Sequence, residues 1–332
     1  MSVATGTRAG WTRLSVAVTL VWVALLGLGT AQPAVVSPRY AGDAEANSAK
    51  DWPRSGKIGF TRFPPVGNAS IYTTTPSGTN LVPLLARTDA QLTEPSWSPD
   101  GRRIAFVAMS AANVGGIFVA DAAGKHVRRL TRVESSPTNT VLDAHPRWSP
   151  DGKRIVFHRY RDAGSTIYVM NANGTGLRSL GRGFEPAWTP DGKKIVFADK
   201  TSGDTWHIAV MSPAGANRSW VTAGPASDNN PQWSPNGKLI AIQSTIAGNV
   251  DIYVIRADGS GRRRLTRQPG ADVDPAWSPD GRRIVFASRR FGRFDLYVMN
   301  TVGTGKRRLT NLLGDEAQPS WQTLSEKAQS SG

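Results

Sequence analysis

Short apolar runs recur along this chain at even spacing, each bounded by turn-forming residues. The clearest are Ile104-Ala105-Phe106, Ile155-Val156-Phe157, Ile195-Val196-Phe197, Ile240-Ala241-Ile242 and Ile284-Val285-Phe286. Each follows a Pro-Asp-Gly or Pro-Asn-Gly turn, in which proline pre-sets φ and glycine closes the bend. A second set, such as Ile167-Tyr168-Val169-Met170 and Leu296-Tyr297-Val298-Met299, lies one loop further on. β-Branched and aromatic runs too short for helices predict strands. Tight turns at Asn173-Gly174 and Asp258-Gly259 then lead into polar segments such as Arg128-Arg129-Leu130-Thr131 and Arg307-Arg308-Leu309-Thr310. Basic residues there suit an outer edge, where charge discourages edge-to-edge pairing.

A tryptophan precedes each Pro-Asp-Gly turn. It stands in Pro95-Ser96-Trp97, Pro146-Arg147-Trp148, Pro186-Ala187-Trp188, Pro231-Gln232-Trp233 and Pro275-Ala276-Trp277, with a last copy at Pro319-Ser320-Trp321. The steps are 51, 40, 45, 44 and 44 residues. A period of about 40–45 residues holding four strands is one propeller blade. The first repeat lacks its tryptophan strand and starts at Lys57-Ile58-Gly59-Phe60, while a surplus tryptophan strand ends the array. The predicted fold is therefore all-β, a six-bladed β-propeller. Its C-terminal strand completes the first blade and removes the open edge.

The repeat Pro-x-Trp-Ser-Pro-Asp-Gly, followed by Ile-Val-Phe, Tyr-Val-Met and Arg-Arg-Leu-Thr, resembles the TolB-type (WD-repeat-like) β-propeller family over about Lys57 to Trp321. TolB carries a further N-terminal α/β domain. Only about 25 residues separate the apolar leader from the first strand here, so the resemblance implies the propeller without that domain. Related propellers precede α/β-hydrolase domains, but this chain has no Gly-x-Ser-x-Gly elbow.

The N-terminus follows a different pattern. Arg8 and Arg13 precede the apolar run Leu14 to Leu28, and Gly29-Thr30-Ala31 ends in small residues. Residues 1–31 are expected to be a signal peptide or an uncleaved N-terminal anchor. Residues 32–55 read as a flexible linker, 56–323 as the propeller and 324–332 as a disordered tail. The expected location is extracytoplasmic. The chain has no cysteine, which excludes disulfides and thiol chemistry. Its net charge of +15 suits an anionic envelope polymer or an acidic protein. No nucleic-acid module is visible, so nucleic acid is not an expected partner. Membrane contact is expected only through the N-terminal segment, and the chain is expected to be a monomer.

Candidate chemistry gathers at one end of the ring. The residues before each repeat proline are Glu94, His145, Glu185, Asn230, Asp274 and Gln318. Six blades should set them around one channel mouth, with Asp143, Asp228, Asp272, Asp315 and Glu316 nearby. This mostly acidic collar is either a binding site or a set of caps for strand-start amides. His145 and His158 flank the Pro150-Asp151-Gly152 turn symmetrically and should lie opposite each other in a regular hairpin. With Asp143 they form a weak metal-ligand candidate. The loops on this face carry Arg159, Tyr160, Arg161, Trp206, Arg289, Arg290 and Phe291, a composition suited to recognition. The long segment Val133 to Leu142 accounts for the 51-residue step. No cofactor motif is present. The expected function is a non-catalytic propeller that binds a protein, a peptide or an anionic cell-envelope polymer through its loop face and channel mouth. The alternative is a propeller lyase or hydrolase with its site at the same mouth.

Overall fold

The structure, a computed structural model, describes residues 55–110, 115–132, 141–161, 164–201 and 205–324. The leader, nearly all of the linker, the segment 133–140 and the tail from 325 lie outside these residues.

Six four-stranded antiparallel sheets form the six blades of a ring. Blade 1 comprises β1 (Ser55–Phe63), β2 (Ser70–Thr74) and β3 (Val82–Leu85). Blade 2 holds β4 (Ala90–Trp97), β5 (Arg103–Ser110), β6 (Gly115–Asp121) and β7 (Arg128–Arg129). Blade 3 holds β8 (Leu142–Trp148), β9 (Arg154–Arg161), β10 (Gly164–Asn171) and β11 (Arg178–Arg182). Blade 4 holds β12 (Phe184–Trp188), β13 (Ile195–Lys200), β14 (Trp206–Met211) and β15 (Ser219–Trp220). In blade 5 are β16 (Asp228–Trp233), β17 (Leu239–Ser244), β18 (Asp251–Arg256) and β19 (Arg263–Arg264). In blade 6 are β20 (Asp272–Trp277), β21 (Arg283–Ser288), β22 (Asp295–Asn300) and β23 (Arg307–Arg308). The last strand, β24 (Asp315–Thr323), returns to blade 1 and pairs with β1, setting Trp321 opposite Ile58. The closure expected from the split first repeat is therefore present.

The repeated turn has a concrete job. Ser98 Oγ accepts the Arg103 N–H at 2.9 Å and donates to Asp100 Oδ1 at 2.5 Å, while Asp100 also accepts the Arg102 N–H. Ser149, Thr189, Ser234 and Ser278 do the same in the next four blades. The motif thus locks the hairpin between the two innermost strands.

Neighbouring blades join at two radii outside the axis. At mid-radius, Trp97, Trp148, Trp188, Trp277 and Trp321 are all buried, and Trp233 is partly so. The indole N–H groups of Trp148, Trp277 and Trp321 donate to the carbonyls of Ser96, Gln232 and Ala276 in the preceding blade, at 3.0–3.1 Å. At the periphery, each hairpin between third and fourth strands lays a glycine against the preceding blade. A Cβ on Gly259 (φ 85) would stand 1.9 Å from the Val221 carbonyl oxygen, so no other residue fits that approach.

The basic residues do more than guard an outer edge. Arg103 and Arg154 stack on Trp148 and Trp188 of the following blade, each at 4.5 Å. From the outer strands, Arg128, Arg178, Arg263 and Arg307 donate to hairpin carbonyls of the next blade. Arg102, Lys153, Lys193 and Arg282 remain exposed.

Replacing Trp148 with alanine removes a buried ring and its inter-blade hydrogen bond, and is expected to cost about 3–5 kcal/mol. The same change at half-exposed Trp220 is expected to cost no more than about 0.5 kcal/mol. Denaturant titration of the two variants measures both; equal, small losses would remove the tryptophans from the account of blade packing.

Candidate functional site

The centre of the ring is built from six backbone irregularities. Glu94, His145, Glu185, Asn230, Asp274 and Gln318 all adopt left-handed φ, between 48° and 58°. For residues with a Cβ this conformation costs about 1–2 kcal/mol. At each position the pairing with the second strand jumps, for example between Thr93 and Ser96, or between Ala144 and Arg147. The jump is a bulge, and it re-aims the side chain. Glu94, His145, Asn230, Asp274 and Gln318 line one small cavity at the centre of the ring, and Glu185 Oε1 lies 3.9 Å from His145 Nε2.

Each collar amide is capped from the preceding blade. Gln318 Oε1 accepts the Glu94 N–H at 3.1 Å, and Glu94 Oε2 accepts the His145 N–H. His158 Nδ1 accepts the Glu185 N–H at 3.2 Å, and Glu185 Oε2 accepts the Asn230 N–H at 2.7 Å. Gln243 Oε1 accepts the Asp274 N–H at 2.7 Å, and Asp274 Oδ2 accepts the Gln318 N–H at 2.9 Å. Asn230 Nδ2 also donates to Asp274 Oδ1 at 2.7 Å. The collar is thus a closed hydrogen-bond ring. The cavity it surrounds is about 10 Å³, room for about one water molecule.

The electrostatics follow from that burial. Burial pushes the Asp274 carboxyl up to about 8 against the Gln318 amide, with Glu185 adding to the rise. It pushes Glu185 up to about 7 and also raises Glu94. Burial lowers His145 and His158 to about 3, so both imidazoles are neutral. Their rings stack at 5.1 Å. The mouth therefore carries far less negative charge than its composition implies.

Arg147 stands among these carboxyls. Burial lowers its pKa, while Glu94, Asp274 and Glu185 oppose that change. Its Nη1 donates to the Pro146 carbonyl at 3.2 Å, and its guanidinium makes no other hydrogen bond among the described residues. The equivalent positions hold Ser96, Ala187, Gln232, Ala276 and Ser320, so this is the one basic residue among six copies. That singularity is readable in the repeats, but the residue before each proline, which marks the collar, misses it. Gln243 was missed too, because nothing marks a mid-strand glutamine as a cap.

Several expected placements change. Asp143, Asp228 and Asp272 are fully buried beside arginines and add no charge to the mouth. Asp143 takes a bidentate contact from Arg159 at 2.6 and 3.0 Å, Asp228 pairs with Arg262 at 2.5 Å, and Arg290 lies 3.5 Å from Asp272. Glu316 is buried and accepts the Leu312 N–H, and Asp315 accepts that of Phe294. His158 pairs in register with Ala144 and not with His145, because the bulge at His145 shifts the hairpin by one residue. Among the described residues no three His, Asp or Glu side chains are spaced to hold a metal, and Asp143 is committed to Arg159. Of the loop-face residues, Arg159 and Trp206 are buried in their blades, Trp206 edge-on to Phe184 at 4.7 Å. Tyr160 is half-buried, and Arg290 stacks on Tyr297 at 4.0 Å. Arg161, Arg289 and Phe291 are exposed.

The domain family described as the TolB beta propeller domain matches residues 49–245 and 186–328. A Bacillus subtilis protein named as the uncharacterized peptidase YuxL is 24% identical over 234 residues, which is 67% of this chain and 31% of that protein. The Tol-Pal system protein TolB of Francisella tularensis subsp. mediasiatica is 33% identical over 106 residues, 31% of this chain and 22% of that one. This chain thus spans less than a third of either relative. The crystal structure of TolB from Acinetobacter baumannii superposes with a TM-score of 0.71 at 23% identity, over 80% of this chain and 66% of that one. At that identity the likeness shows the fold.

The collar predicts a pH profile. Asp274 and Glu185 bind protons more tightly folded than unfolded, so the stability this gives is lost as pH rises through about 7 to 8. His145 and His158 are held neutral, so their stability is complete above the ordinary imidazole pKa and is lost as pH falls towards 3. The melting temperature is expected to fall between about pH 6.5 and pH 8.5, where only the carboxyls act. Glu185→Gln with Asp274→Asn should flatten that limb; an unchanged slope would place its origin elsewhere.

Proposed function

The chain belongs to the TolB β-propeller domain family, and from that premise we propose that it is a non-catalytic binding propeller working outside the cytoplasm, holding a protein or peptide at its loop face and channel mouth. The observation that carries this reading is Arg147. The collar around it spends its polar groups on neighbouring amides, whereas the guanidinium keeps donors in hand. Glu94, Glu185 and Asp274 surround it electrostatically, and the pre-set ring lowers the ordering cost of using it. An arginine fork so held suits a peptide carbonyl or carboxylate entering the mouth. The names of relatives that belong to the Tol-Pal system support a protein partner in general terms.

A propeller enzyme is the second reading, and the raised carboxyls of Glu185 and Asp274 favour it, since perturbed acids mark reactive sites. Against it, both carboxylates already accept hydrogen bonds from neighbouring amides.

Capture from native envelope extract by wild-type protein and by Arg147→Ala separates the readings. Loss of a captured protein with unchanged melting temperature is the expected result, and Arg147→Lys should restore capture only in part. Identical capture by all three would sink the role of Arg147. Turnover of an envelope polysaccharide that falls with Glu185→Gln would favour the enzyme. Export rests on the basic, apolar and small-residue order of residues 8–31. N-terminal sequencing of the protein from its native host is expected to begin near Gln32; soluble cytoplasmic protein retaining Met1 would contradict it.

A further inference from the structure

Four of the most exposed large apolar residues share one end of the ring. Val66 is 90% exposed, Leu313 70%, Phe291 52% and Ile246 51%. Val66, Ile246 and Phe291 lie in loops between second and third strands, and Leu313 lies between β23 and β24. In an antiparallel blade both connections open at the end where the innermost strand begins, which is the collar end. All four residues therefore crown the same face, over blades 5, 6 and 1.

Contacts make these tips contiguous. Asn249 Nδ2 donates to the carbonyls of Gln268 and Gly270, and Gly270 lies against the Arg289 backbone. Arg293 donates to Asn311 Oδ1 at 2.8 Å, linking the Phe291 loop to the Leu313 loop. Arg62 Nη2 donates to the Leu313 carbonyl at 3.2 Å and carries the arc to the Val66 loop.

The charge on this arc has one sign. Residues 64–69, 245–250, 265–271, 289–294 and 309–314 contain no aspartate or glutamate and four arginines, Arg267, Arg289, Arg290 and Arg293. Arg267 and Arg289 are exposed. Of the neighbouring acids, Asp272 and Asp295 are fully buried, Asp315 holds the Phe294 amide, and the exposed Asp89 beside the Val66 loop is paired with Arg87.

We propose that this arc is a docking surface for an anionic lipid bilayer. Side chains as exposed as Val66 and Leu313 have no walls around them, so they line no groove that could enclose a peptide. A planar interface buries separate apolar tips together, while arginines beside them meet lipid phosphates. The assignment departs from the expectation that only the N-terminal segment touches a membrane. It goes beyond the protein-binding reading and does not depend on it: Arg147 takes no part, and Arg289, Arg290 and Phe291 of the loop face meet lipid here.

The absence of cysteine allows a local readout. Leu313→Cys in the full chain, labelled with a polarity-sensitive dye, is mixed with vesicles of phosphatidylglycerol or of phosphatidylcholine. Lys238→Cys, exposed on the turn at the opposite end of blade 5, is labelled as the control. The dye at 313 is expected to brighten about twofold or more, with a blue shift, on phosphatidylglycerol alone, and the dye at 238 to stay unchanged. Adding Arg267→Glu and Arg289→Glu, or high salt, should abolish the response at 313. No response at 313, an equal response at both sites, or the same response to phosphatidylcholine overturns the proposal. A matching response to soluble polyglutamate without vesicles also overturns it and assigns the arc to an acidic polypeptide. Because tethering by the leader would not by itself bury position 313, it is not mistaken for docking.

Discussion

Six strands that converge on one axis turn an unpaired edge towards it, and the backbone amides on that edge must find partners. Water could satisfy them only in a wide channel. This ring closes the channel instead, by giving each innermost strand a left-handed residue whose side chain or neighbour caps the next blade. The backbone cost of the six bulges is met by the bonds they create. Because every cap crosses from one blade to the next, the same device sets the angle between blades. The buried tryptophans and the peripheral glycines then fit the spacing that the centre imposes.

The strand pattern was legible because it obeys local rules. Pro-Asp-Gly turns, β-branched runs and a tryptophan every blade are decided by turn chemistry and burial, which short sequence windows carry. Blade 1 was legible because its two halves are visibly incomplete alone. The mouth was legible as a list of residues but not as a charge distribution. Asp143, Asp228 and Asp272 look acidic until Arg159, Arg262 and Arg290 are set beside them, and those pairings depend on facing strands. The offset of His145 from His158 depends on a bulge that alternation cannot reveal. The role of Gln243 required knowing which blade lies next door.

The net charge of +15 is likewise redistributed by the fold. Arginines at the tryptophan faces and outer strands act as inter-blade ties, so much of the basic character is internal bookkeeping of hydrogen bonds. What remains visible to a partner is local. The mouth holds one arginine, Arg147, among carboxyls whose pKa values burial raises, and the crown over blades 5, 6 and 1 carries a cluster of arginines among apolar tips. The two differ in kind, a single fork in a depression and a spread of charge among protruding tips.

The pairing of β24 with β1 joins residues about 260 positions apart in the chain, Ile58 and Trp321 among them. During synthesis, β1 to β23 emerge before the strand that completes blade 1 exists. For that interval β1 presents a bare edge, and Ile58 and Phe60 await a neighbour that is not yet made. A contact of such sequence separation is slow to form by chance collision. The nascent chain thus stays open to misassociation through that edge until β24 has been made. The ring protects itself only when its final turn of residues arrives.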